Sequence, residues 1–185
     1  YPVLPVVTFE RAIAEAKPLG LSSVKLTGGE PLMHPRIADL LEIVRREELE
    51  LIIETNGICC TAEIAEEIAK SHERFVSVSL DGARAQTHDR IRGVDGAFDK
   101  AVTGMKNLAA ADTPPQIIMS IMEENIGEVD DIVALAEEVG AGSVKFNVIQ
   151  PMGRGERVRD RKAGIDVEEI VALGRRVENE LSKST

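Results

Sequence analysis

The chain has 185 residues, 43% of them hydrophobic and 29% charged, with a formal net charge of -10. That size and composition suit one globular domain with a sizeable core, and the surplus of carboxylates disfavours nucleic acid or an anionic membrane as a partner. No apolar run of about 18 residues is available to cross a bilayer, and the N-terminus has neither a basic nor an apolar signal region, so a cytoplasmic protein is expected.

In chain order, a loop over Tyr1–Val7 leads into a helix whose stripe is Phe9, Ala12, Ile13 and Ala16, with Thr8 the expected N-cap. A strand over Ser22–Thr27 (SSVKLT) precedes a second helix, with Pro35 at its first position and Ile37, Leu40, Leu41 and Val44 facing inward. Glu50–Thr55 (ELIIET) is the next strand. Thr61 then caps a helix that turns Ile64, Ala65 and Ile68 to the core. The third strand, Phe75–Leu80 (FVSVSL), is followed by a long connection to a helix marked by Phe98, Ala101, Val102, Met105 and Leu108. Gln116–Met122, a helix carrying Val129, Ile132, Val133 and Ala136, and Ser143–Ile149 continue the alternation. A last helix, Asp166–Ser182, opens with Asp166 and Glu169 at capping-box spacing and runs through Ile170, Leu173 and Val177.

Five strands alternating with six helices predict parallel pairing, because parallel neighbours need a crossover between them. A β/α series normally opens on a strand, whereas this one opens on a helix, so a first strand is expected to be missing, with an edge exposed in its place. Period two puts Ser77, Ser79 and Asp81 on one side of the third strand and Val76, Val78 and Leu80 on the other. Lys25 with Thr27, and Lys145 with Asn147, repeat that polar face. A flat sheet covered on both sides would be apolar on both. One polar face predicts instead a curved, partial TIM-type α/β barrel around a cavity, with its site at the C-terminal strand ends.

The motifs fall at those ends. Thr27-Gly28-Gly29-Glu30-Pro31 follows the first strand, its glycines exposing backbone N–H groups and Glu30 offering a carboxylate to an ammonium group. Glu54-Thr55-Asn56-Gly57 follows the second, and its Asn-Gly also reads as an ordinary turn. Ser77-Val78-Ser79-Leu80-Asp81-Gly82 leads into His88-Asp89-Arg90-Ile91-Arg92-Gly93, where hydroxyls, a carboxylate and an arginine suit a ribose or an amino acid. A plain turn at Asp81-Gly82 and a solvated loop around Arg92 are the bland reading, against which the length of the connection argues. The last motif runs from Phe146 to Gly155 through a Gly-rich exit. The adjacent Cys59 and Cys60 suit neither a disulfide nor a tetrahedral metal, and read as small side chains at a strand-to-helix junction. His34, His72 and His88 lack metal-ligand spacing, so the residues themselves nominate no metal ligand and no catalytic group.

GGEP, TNG, SLDG and HDxxRG, in this order at successive strand ends, resemble the radical SAM superfamily, in the branch of the molybdenum-cofactor cyclase and the SPASM-domain enzymes. The resemblance runs from about Thr8 to Gly155 and implies a partial (β/α)6 barrel, with five of the six strands in this chain. It makes residues 1–185 a single core fragment, 1–155 forming the barrel and 156–185 a linker and final helix. It further implies that Glu30 with the Gly28-Gly29 backbone holds the amino group of S-adenosylmethionine. Ser79 and Arg92 (or Arg90) would bind its carboxylate, and Asn56 and Asp81 would line the ribose side. The backbone around Val148–Pro151 would meet the adenine, with Asn147 a neighbour.

Members of this superfamily hold a 4Fe–4S cluster on a C-x3-C-x2-C triad after the first strand, since thiolates are the ligands such a cluster needs. This sequence has no such triad. The missing triad and missing strand coincide, so the chain is expected to be a truncated piece of a longer enzyme, inactive alone. In the parent, reductive cleavage of S-adenosylmethionine would yield a 5′-deoxyadenosyl radical that abstracts hydrogen from a small-molecule or peptide substrate. A reductant such as flavodoxin or ferredoxin would supply the electron. Cofactor biosynthesis and peptide modification are the implied settings. A non-catalytic α/β nucleoside-binding domain is the alternative; a barrel hydrolase with Glu30 and Asp81 as acid and base is a third reading.

Overall fold

Five short runs rich in β-branched residues form one parallel sheet: β1 (Ser23–Leu26), β2 (Glu50–Thr55), β3 (Arg74–Ser79), β4 (Gln116–Ile121) and β5 (Ser143–Val148), ordered β1-β2-β3-β4-β5. The computed structural model of the chain describes residues 3–148 and 167–181. Helices α2 (Ile37–Arg46), α3 (Ala62–Ala69) and α6 (Val129–Val139) make the crossovers that parallel neighbours require. Between β3 and β4 the crossover holds two helices, α4 (Ala85–Arg92) and α5 (Ala97–Ala110). Helix α1 (Val6–Ala16) precedes the sheet, and α7 (Val167–Arg176) follows it, running on into a π-turn, Val177–Leu181.

The register puts the polar residues on one face. Lys25 lies opposite Ile52, Glu54 opposite Ser77, Ser79 opposite Ile118, Ile118 opposite Lys145, and Ser120 opposite Asn147. The alternate residues Leu51, Ile53, Val76, Val78, Ile117 and Met119 are fully buried. They meet Leu41, Ile68, Met105, Leu108 and Ile132 from the helices in one continuous core. Neighbouring helices pack in sequence, α1 on α2, α2 on α3, α3 on α5 and α5 on α6. The result is the expected α/β partial TIM-type barrel, a curved parallel sheet with a helical outer layer.

One contact in that layer depends on two glycines. Gly57, just past β2, has φ +76°, and a Cβ there would stand 2.9 Å from Val78 Cγ1. A Cβ on Gly104 of α5 would stand 2.3 Å from the Gly57 carbonyl oxygen. Only hydrogen at both positions lets α5 lie this close to the β2 exit.

Several boundaries differ from expectation. Helix α1 starts at Val6 with Pro5 at the N-cap, so Thr8 lies inside its first turn, donating its N–H to the Pro5 carbonyl. Pro35 precedes the N-cap of α2, which is Arg36. The connection from Leu80 to Phe98 contains a helix, α4, whose polar sequence buries only Thr87 and His88 and so lacks an apolar stripe. Thr61 does cap α3, accepting the Ile64 N–H at 3.3 Å. Asp166, part of the expected capping box, and Ile149 lie outside the described residues.

Candidate functional site

The turn after β1 is built around Gly28, whose φ of +122° favours glycine, and no atom lies within 4 Å of where a Cβ on Gly28 or Gly29 would sit. Those two residues therefore present bare backbone to open space. Glu30 follows, half-buried, its carboxylate fixed from two strand ends. Its Oε1 accepts from Leu32 N at 3.1 Å and from Thr55 Oγ1 at 2.5 Å, and its Oε2 accepts from Asn56 N at 2.7 Å. These N–H and O–H donors fix the orientation of the carboxylate, and its position is set by the TNG turn. In that turn Thr55 Oγ1 accepts from Gly57 N at 3.0 Å, and Asn56 Oδ1 accepts from Ile58 N at 2.9 Å. Two motifs 25 residues apart are thus one structure.

The motifs of the β3 exit are equally joined. Asp81 is buried at 5% exposure, and each of its polar atoms has a partner. Its N–H donates to His88 Nδ1 at 3.0 Å, and its carbonyl accepts from Asn125 Nδ2 at 2.9 Å. Its Oδ1 accepts from Ser120 N at 2.9 Å, and its Oδ2 pairs with Arg92 Nη2 at 2.8 Å. His88 Nδ1 accepts a proton donor, so the imidazole is neutral with its own proton on Nε2, and burial, then the Arg92 charge, hold its pKa below the ordinary value. Asp89 accepts from Phe98 N at 2.8 Å and Gly96 N at 2.7 Å at the start of α5, and these backbone donors hold its carboxyl below the usual range. Gly93, with φ +68°, ends α4. HDxxRG is therefore a short helix that delivers Arg92 to Asp81, its guanidinium still partly open to solvent.

Ser79 closes β3 and is half-buried on the polar face, and Asn147 lies half-buried on β5 opposite Ser120. On the same face Lys25 Nζ pairs with Glu54 Oε1 at 2.5 Å. Gly28, Gly29, Glu30 and Asn56 gather at one end of the sheet, and Ser79, Asp81 and Arg92 at its middle strand. The expected adenine contacts beyond Val148 fall outside the described residues. Two residues escaped the sequence reading, Asn125 and Glu128, although an N-x-x-E run directly after a strand is a visible pattern. Arg90 turns elsewhere, pairing with Glu124 at 3.5 Å.

The radical SAM superfamily model matches residues 1–136. The chain belongs to this superfamily. Among curated relatives of this radical SAM chain, it is 35% identical to the AdoMet-dependent heme synthase of Methanosarcina barkeri over 159 residues, covering 86% of the chain and 45% of the relative. It is 34% identical to mycofactocin maturase MftC of Mycobacterium ulcerans over 147 residues, covering 79% of the chain and 39% of the relative. The chain thus spans less than half the length of these relatives. The structure of Streptococcus suis SuiB bound to S-adenosylmethionine superposes with a TM-score of 0.83 at 19% identity, over 99% of this chain and 42% of that one. That likeness shows the shared fold.

The residues of this radical SAM chain suit the two charged groups of an amino acid: an anchored carboxylate for an ammonium, with bare glycine backbone next to it in the chain, and a partly open guanidinium for a carboxylate. They do not fit an iron–sulfur cluster. Among the described residues no three His, Cys, Asp or Glu side chains converge on a metal position. Cys60 is buried in the core, and burial pushes its thiol up to about 12, far from the thiolate that iron needs.

Proposed function

We propose that this chain is the S-adenosylmethionine-binding core of a radical SAM enzyme, and that the cluster ligands come from outside the described residues. With cluster and S-adenosylmethionine bound, the family chemistry is reductive cleavage to methionine and a 5′-deoxyadenosyl radical that abstracts hydrogen from substrate. The observation that carries the reading is the Glu30 carboxylate, pinned by Leu32 N, Thr55 Oγ1 and Asn56 N beside the open Gly28-Gly29 backbone. Glu30 and that backbone bind the methionine ammonium. Arg92 and Ser79 bind its carboxylate, Asp81 holding Arg92 in place. Asn56 and Asp81 border the ribose, and Asn147 stands on the adenine side.

The setting we propose is cofactor biosynthesis or peptide modification in the cytoplasm, with flavodoxin or ferredoxin as electron donor. The relatives named as a heme synthase and a mycofactocin maturase, with 28% identity to the subtilosin biosynthesis protein AlbA of Bacillus subtilis, support it. So does the fold shared with SuiB, which was solved with its precursor peptide. The chain alone is expected to be inactive. The test is 5′-deoxyadenosine release by a full-length protein containing this chain, reconstituted anaerobically and given S-adenosylmethionine and dithionite. Glu30→Ala and Glu30→Gln should weaken S-adenosylmethionine binding about 10- to 100-fold, the scale of a lost hydrogen bond to a charged group. A filled cluster with no release would favour a nucleoside-binding domain without catalysis.

A further inference from the structure

The ladder between β3 and β4 ends at Ser79 opposite Ile118, whereas the β4–β5 ladder continues to Ile121 opposite Val148. Past that point Leu80 N still donates to the Ile118 carbonyl at 2.9 Å, but the further ties between the two strand exits run through side chains. Asn125, 1% exposed, supplies most of them. Its Nδ2 donates to the carbonyls of Asp81 and Ser120, both at 2.9 Å, and its Oδ1 accepts from Met122 N at 2.7 Å. The carboxamide thus replaces the missing rung, with Asp81 Oδ1 and Ser120 N as the rung beside it.

Glu128 makes a second tie one helical turn further on. It is 9% exposed, and its Oε2 accepts from Ala83 N at 2.7 Å while its Oε1 accepts from Thr87 Oγ1 at 2.5 Å. Both donors lie at the start of α4, where a carboxylate also meets the positive end of the helix. Helix α4 carries His88, which accepts the Asp81 N–H, and Arg92, which pairs with the Asp81 carboxylate. The segment after β4 therefore grips Asp81 at its carbonyl through Asn125, and grips the helix that carries Arg92 through Glu128. Removing either side chain strands buried donors or acceptors, which then reorganise.

We infer that Asn125 and Glu128 are positioning residues for S-adenosylmethionine, acting through the Asp81–Arg92 pair; this rests on the binding role proposed above for Arg92. The test is the S-adenosylmethionine dissociation constant of the full-length protein, measured by calorimetry alongside thermal unfolding. Asn125→Ala should weaken binding about tenfold in the wild-type background, yet less than twofold in an Arg92→Ala background, because its effect passes through Arg92. Glu128→Ala should behave alike. Glu128→Gln should bind within twofold of wild type, since its amide oxygen still accepts from Ala83 N and its NH2 donates to the Thr87 hydroxyl. If Asn125→Ala does not fold, the Glu128 variants decide. Equal losses in both backgrounds, or a lower melting temperature with unchanged affinity, would overturn the inference and leave the binding role standing. Failure of the wild type to bind would instead remove the binding role itself, and the inference with it.

Discussion

At the scale of single residues, the site motifs divide into groups that face open space and groups that hold them. Glu30 and Arg92 keep open flanks, whereas Asp81, His88 and Asp89 are consumed by partners within the fold. His88 makes that division measurable. It is 2% exposed and accepts the Asp81 N–H, and burial is the chief cause of its lowered pKa. The unfolded chain takes up a proton at the ordinary value of 6.5, while the folded site refuses it until a lower pH. Stability from this group is therefore complete above about 6.5 and declines as pH falls below it towards the folded value. Thermal unfolding followed between pH 7.5 and 5 should show a falling melting temperature in the wild type. His88→Gln should start lower but flatten part of that slope; a slope unchanged by the substitution would assign the pH dependence to other groups.

At the scale of elements, local rules explain most of the chain and fail where packing supplies what the pattern lacks. Each strand matched its expected run to within one residue at either end, because a parallel strand under a helical layer needs a short β-branched run. The Thr61 cap was equally legible, being a one-turn signal. Helix α4 was not, since it is held by Asp81, Glu128 and α5 rather than by an apolar stripe. The α5 approach to the β2 exit gives a contrast between two helical glycines. Gly104→Ala would drive a Cβ to 2.3 Å from the Gly57 carbonyl oxygen, and should cost about 1–3 kcal/mol despite its gain in helix propensity. Gly174→Ala, on α7 with no atom within 4 Å, should be neutral or stabilising by up to about 1 kcal/mol. Urea midpoints of the two variants check both signs.

At the scale of the molecule, the two faces of one sheet carry two tasks. The outer face is sealed under helices and holds the core, and the inner face carries Lys25, Glu54, Ser77, Ser79, Lys145 and Asn147. Truncation should register this asymmetry. Met119→Ala on the sealed face of β4 should destabilise by about 2–5 kcal/mol, lowering the melting temperature about 2–4 °C per kcal/mol. Phe75→Ala, on the inner face of β3 at 43% exposure, should change it by far less. A comparable loss at Phe75 would mean that the inner face is also part of the stabilising core.

The sequence by itself determined the class of fold, the alternation of strands and helices, the polar face and the motifs at the strand ends. Those follow from periodicity and local turn chemistry, which act over a few residues. Tertiary structure alone decided that Glu30 is pinned by Thr55 and Asn56, that Asp81 is saturated by His88, Asn125, Ser120 and Arg92, and that Glu128 reaches across to Thr87 on α4. The partners in those bonds lie from 7 to 44 residues apart in the chain. No local pattern encodes such a distance: it is set by where parallel strands stop pairing and which buried polar groups must then find one another.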